Sequence, residues 1–85
     1  MGNRDRHGEE YRRIIYGLIA CRRAQGLTQG EVAQRMGTDQ SQLSKFERSE
    51  RRLDVLDYVR YCQALGMAPG AFLDQLMTDL TGPKR

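Results

Sequence analysis

Between Leu27 and Arg52 the chain carries two helical patterns separated by only about three residues, and that brevity constrains the fold more than anything else in the sequence. Thr28-Gln29-Gly30-Glu31 has the form of a capping box. The Thr28 hydroxyl can accept from the Glu31 backbone N–H while the Glu31 side chain reaches back to Thr28. The helix that starts there turns Val32, Ala33 and Met36 inward and closes at Gly37, a residue suited to the left-handed conformation. Gly30 in its first turn weakens it by ~1 kcal/mol relative to Ala. Asp39 is then placed to cap a third helix over residues 40–47. So short a link forces the two helices to cross steeply.

Three further helices follow from spacing. From Glu9 the apolar residues Tyr11, Ile14, Ile15, Leu18 and Cys21 recur at helical intervals, and the pattern ends near Gly26 after about four turns. Arg12, Arg13, Arg22 and Arg23 decorate it. Asp54 caps a fourth helix with Val55, Tyr58, Val59, Cys62 and Leu65 on one face, stopped by Gly66. Pro69 opens a fifth, which runs to about Leu80 with Phe72, Leu73, Leu76, Met77 and Leu80 apolar. The polar residues 1–8 read as a flexible arm, residues 9–81 as one all-α domain, and residues 82–85 as a frayed tail.

Composition narrows the function classes. A chain of 85 residues supports one small core, marginal alone and helped by oligomerisation. It has no apolar run long enough for a membrane span and no signal-peptide pattern, so the expectation is a cytoplasmic, nucleoid-associated protein with no membrane partner. Cys21 and Cys62 lack metal spacing, and the single histidine, His7, lies in the polar arm. Two reduced thiols, no metal, no cofactor and no enzyme activity are expected, because no nucleophile–base pair, carboxylate pair or metal cluster is present. Residues 1–52 hold eleven Lys and Arg against seven Asp and Glu, whereas residues 53–85 hold three against four. A basic front half points to a polyanion on one face.

The third helix carries Gln40, Ser41, Gln42, Ser44 and Lys45 on one flank and Leu43 and Phe46 on the other. The polar set comprises hydrogen-bonding groups of the kind that read base edges in a major groove. With Arg22, the Leu27–Ala33 run, Gly37, Ser44-x-x-Glu47 and Ala64-Leu65-Gly66, the segment from about Leu18 to Leu73 resembles the phage-repressor (lambda-repressor-like, Xre/Cro-type) helix-turn-helix family. The resemblance covers roughly two-thirds of the chain, in several motifs that agree in order.

What it implies is a five-helix lambda-repressor-like domain whose second and third helices form the DNA-reading unit. Ala33 lets those helices approach, Gly37 supplies the turn, and Leu43 and Phe46 seat the recognition helix in the core. Gln40, Ser41, Gln42, Ser44 and Lys45 would read bases, with Gln40 suited to adenine and Lys45 to guanine. Thr28, Gln29, Arg48, Ser49, Arg51 and Arg52 would meet phosphates, in part through the positive end of the second helix. Ser49 departs from the family, where Gly is common. Arg22 and Glu47 form an ion pair in the family, with Arg22 a further phosphate candidate.

Dimerisation is argued from surplus. Helix five has apolar residues over a broad arc, so Leu76, Met77 and Leu80 are expected at a two-fold interface, with Leu53 and Leu56 as the next candidate surface. Core filling is the competing reading, about as strong for Phe72 and Leu73. The leading functional expectation is a homodimeric, sequence-specific regulator of repressor type on a palindromic operator in double-stranded DNA. The alternative is an antitoxin that binds and neutralises a protein toxin, with autoregulatory DNA binding.

Overall fold

Each expected cap forms. The structure, a computed structural model, describes residues 8–81, with side chains as far as Thr78. It contains α1 (Gly8–Ala24), α2 (Gln29–Met36), α3 (Gln40–Glu47), α4 (Val55–Ala64) and α5 (Pro69–Thr81), with no strand among the described residues. At α2 the Thr28 hydroxyl accepts from Glu31 N at 3.1 Å, and Glu31 Oε1 accepts from Thr28 N at 2.8 Å. Those hydrogen bonds, first to the Thr28 backbone, hold the Glu31 carboxyl below its ordinary range. Asp39 caps α3 through Gln42 N at 2.9 Å, and Asp54 caps α4 in a reciprocal box with Asp57. Gly8 opens α1 rather than closing an arm; residues 1–7 and 82–85 lie outside the described residues.

One core joins all of this. Leu18, Val32, Ala33, Met36, Leu43, Phe46, Tyr61, Cys62, Ala64 and Leu65 form a buried cluster. Burial of Leu18, Val32 and Leu43, from three different helices, contributes about 1.5–3 kcal/mol each. Ala33 is small enough for α2 to pack on both α3 and α4. Gly37, at φ 81°, ends α2 and sends its N–H back to Gln34 O. A side chain there would be strained, because L-residues avoid this region. Ser49 adopts the same conformation at φ 61°, after α3.

Two expectations about inward faces are corrected. On α4 it is Tyr61 that is buried, at 1% exposure, together with Cys62, Ala64 and Leu65, while Val55 is 79% exposed. Cys62 and Leu65 are buried as expected and Tyr58 and Val59 are half-buried, so the inner face gains Tyr61, whose hydroxyl donates to the buried carboxylate of Glu47, and loses Val55. On α5, Leu76 is only 8% exposed within the single chain. It packs over Gly17 of α1, where a Cβ would stand 3.4 Å from Leu76 Cδ2 and 2.9 Å from Phe72 Cζ. The absent side chain at Gly17 lets α5 come close enough to cover Leu76. It therefore has little surface to offer a partner. Met77 is half-buried, and Leu80 lies outside the described side chains.

Candidate nucleic-acid interface

The exposed side of α3 follows from what its other side must do. Leu43 and Phe46 are buried and the Glu47 side chain is nearly so, so the face opposite them is free. Ser41, Lys45 and Arg48 are exposed on that face, Ser44 is half-buried beside them, and Gln40 stands exposed at the edge nearest α2. Gln42 is set apart. At about 100° per residue it falls on the flank of Phe46, roughly opposite Gln40. There it is half-buried and lines a depression with Gly37, Thr38, Arg51 and Arg60. Of the five polar residues expected on one flank, Gln40, Ser41, Ser44 and Lys45 share the side away from Phe46.

Glu47 is the centre of a buried polar network. Its Oε2 accepts from Arg22 Nε at 2.8 Å and from the Tyr61 hydroxyl at 2.6 Å. Its Oε1 accepts from Arg22 Nη2 and from Gln29 Nε2, both at 3.0 Å. Burial by itself would raise the Glu47 pKa, but the hydrogen bonds from Arg22, Tyr61 and Gln29 outweigh it and hold the carboxyl below its ordinary range. The same geometry pushes the Tyr61 hydroxyl up, through burial first and then its bond to Glu47. Among the described residues no buried side-chain polar atom lacks a partner.

Arg22 belongs wholly to this network. It is 7% exposed, and its remaining bond runs from Nη1 to Leu27 O at 2.9 Å. Three of its five N–H donors are spent inside the fold, which leaves it little to offer a phosphate. Gln29 is divided: its nitrogen faces Glu47, and its oxygen accepts from Gln40 Nε2 at 3.4 Å. That contact ties the first residue of α3 to the first residue of α2.

The connector after α3 is held from both ends. Glu50 N and Arg51 N donate to Lys45 O at 2.8 and 3.2 Å, so the left-handed Ser49 folds the chain back over the end of α3. Arg51 lies over the Phe46 ring at 5.7 Å and Arg52 over the Tyr11 ring at 4.4 Å, both within cation–π range. Tyr11 also accepts from Leu53 N through its hydroxyl at 2.8 Å. Arg48 instead forms a bidentate pair with Glu50, at 2.9 Å for each contact, and donates to the Ser44 hydroxyl. A phosphate at Arg48 would have to compete with that carboxylate.

Sequence reasoning missed Tyr61 and Tyr11, which orient the site without belonging to its surface. The available signal was chemical: a tyrosine within an apolar helical pattern brings a hydroxyl that needs a partner wherever it is buried. No helix among the described residues is long and apolar enough to cross a membrane, and no group of His, Cys, Asp and Glu there could hold a metal ion.

An α2–α3 pair packed together across a link of residues 37–39, with a polar α3 face standing clear of the core, defines a helix-turn-helix protein. Residues 18–72 match the helix-turn-helix family, and the chain belongs to it, in its Xre-type branch of DNA-binding regulators. Among solved structures, an XRE-family like protein from Pseudomonas syringae pv. tomato str. DC3000 superposes with a TM-score of 0.85 at 37% identity, over 92% of this chain and 95% of that one. Antitoxin HigA1 of Mycobacterium tuberculosis, from strains CDC 1551 / Oshkosh and ATCC 25618 / H37Rv, is 46% identical over 59 residues. That match takes in 67% of this chain and 38% of HigA1, so the chain spans well under half the length of the curated relatives it matches.

Proposed function

We propose that the protein is a sequence-specific regulator that lays α3 in the major groove of double-stranded DNA and binds a palindromic operator as a homodimer. The observation that carries this reading is the Gln29–Gln40 contact at the edge of an exposed polar α3 face, flanked by Arg51 and Arg52 on their aromatic supports. Gln40 reads adenine, Lys45 reaches guanine, and Ser41 and Ser44 complete the set. Thr28, Gln29 and the start of α2 meet one phosphate, and Ser49, Arg51 and Arg52 meet the next stretch of backbone. DNA of this kind places the protein on the nucleoid, in the cytoplasm, acting by occupancy rather than by catalysis.

With Leu76 committed to the core, the dimer surface moves to the beginning of α4. Val55 and Leu56 are 79% and 53% exposed there, beside an apolar groove of about 390 Å³ lined by Tyr11, Ile14, Leu53, Tyr58, Val59 and Leu73. Because this edge directly follows Arg51 and Arg52, a two-fold axis there brings the backbone-binding arginines of both protomers toward the centre of the operator.

Selection from a random duplex pool tests the reading. The expected result is a palindromic consensus with half-site centres about one helical turn, ~34 Å, apart. The absence of any enriched sequence would overturn it. The likeness to HigA1 favours a second reading, an antitoxin that holds a protein toxin and represses its own operator. Under that reading a co-expressed toxin co-purifies with the chain and loses its activity.

A further inference from the structure

Glu47 does not reach the exposed face of α3, yet it governs how that face is polarised. Its side chain is 6% exposed, and an ionised carboxylate can only accept hydrogen bonds. Whatever meets Glu47 Oε1 from α2 must therefore be a donor. Gln29 meets it with Nε2 at 3.0 Å, so the Gln29 amide turns its nitrogen inward and its oxygen outward. That oxygen in turn requires a donor, and Gln40 supplies Nε2 at 3.4 Å. The Gln40 oxygen is left on the other side, 3.8 Å from where a Cβ on Gly30 would stand. Three side chains in series have one permitted order of donors and acceptors. The order is imposed from the buried end.

We propose that Glu47 is a positioning residue for base preference: acting through Gln29, it fixes which way round the Gln40 amide presents its N–H and C=O to a base pair. The inference rests on the reading of α3 as the base-reading helix, and deepens it. Adenine shows an acceptor, N7, beside a donor, N6–H₂, and inverting the base pair inverts their order along the groove. An amide held in one orientation distinguishes an A·T pair from T·A. An amide free to turn over matches either.

Substituting Gln for Glu47 sharpens the argument. Arg22 Nε and the Tyr61 hydroxyl both donate to Oε2 and favour an oxygen there, at the expense of the Arg22 Nη2 bond to the Oε1 position. The new amide nitrogen would then face Gln29, whose amide must turn over, and Gln40 after it. Glu47→Gln should lose or reverse the preference, whereas Tyr61→Phe removes a neighbouring bond but keeps the carboxylate and so the order. Gln29→Met breaks the series without disturbing the Arg22–Glu47 pair, and serves if Glu47→Gln does not fold.

The test uses the full chain and the duplex found by selection, with single A·T pairs inverted, in competition binding. The position read by Gln40 is the one whose preference disappears in Gln40→Ala. The parent and Tyr61→Phe should favour one orientation there by about tenfold. Glu47→Gln and Gln29→Met should fall within about twofold or reverse, with affinity for unrelated DNA unchanged in Glu47→Gln and Tyr61→Phe and lowered in Gln29→Met, which also loses a phosphate contact. Retained preference in Glu47→Gln and Gln29→Met would overturn the inference while leaving Gln40 a base reader. A loss in all three variants that parallels their affinity for unrelated DNA would reduce Glu47 to a structural residue and also overturn it. A parent with no preference that depends on Gln40 would overturn the base-reading assignment itself.

Discussion

Replacing Arg22 with Met keeps most of the aliphatic stem and removes the guanidinium from a pocket where it makes three hydrogen bonds. Both charges are nearly buried, with side chains 9% and 6% exposed, so water cannot replace what is lost. Breaking one partner of such a pair costs about 3–5 kcal/mol. Total stability for a domain of this size is roughly 4–13 kcal/mol, so the loss is a large share of it. The cost should depend on pH, with a sign that follows from Glu47. In the parent the folded-state pKa of Glu47 is depressed, so its contribution is present above the ordinary glutamate value and is lost as pH falls through the folded pKa. Without Arg22, burial is opposed only by Tyr61 and Gln29, and the folded pKa should rise above the ordinary value. Neutral Glu47 is then tolerated in the fold, and the variant is penalised as pH rises through that raised pKa. Urea melts of parent and variant at pH 7 and at pH 4.5 should show the gap largest at pH 7 and smaller at pH 4.5. A gap under about 1 kcal/mol at pH 7, or one that does not change with pH, would refute the claim that this pair is a desolvated electrostatic unit.

Ser49→Gly should raise stability by about 0.5–1 kcal/mol in the same assay, because it relieves a left-handed side chain; no gain would mean the Ser49 side chain offsets its own strain. Arg52→Ala should weaken binding to all duplexes alike and lower the slope of log affinity against log salt by about one unit, whereas Arg48→Ala should change it less, because Glu50 already neutralises that charge. Leu56→Asp alters a residue 53% exposed, so the variant should fold as the parent does but sediment as a monomer at micromolar concentration; a dimer that persists would remove the start of α4 from the interface.

Much of this protein was legible in local chemistry. Thr28 with Glu31, Asp39, Asp54, Gly37 and Pro69 each specify a helix end through a side chain or backbone torsion acting within a few residues. That is why the five helices fall where the sequence places them. The reach of α3 into solvent was equally readable, since Leu43 and Phe46 can bury one flank only by exposing the other. What depended on distant contacts was not legible. Gly17 looks like an interruption in α1 until α5 is seen lying against it, and that contact turns Leu76 from surface into core. Tyr61 was not among the residues expected on the inner face of α4. It packs in the core and its hydroxyl finds a partner in Glu47, fourteen residues away in another helix. The order of hydrogen bonds from Glu47 through Gln29 to Gln40 joins α2 to both ends of α3. Caps and periodicity are local free energies that a sequence displays directly. The pairing of a buried carboxylate with donors from three other helices exists only once the chain has closed around it, and that closure decides which residues present the interface and which way they face.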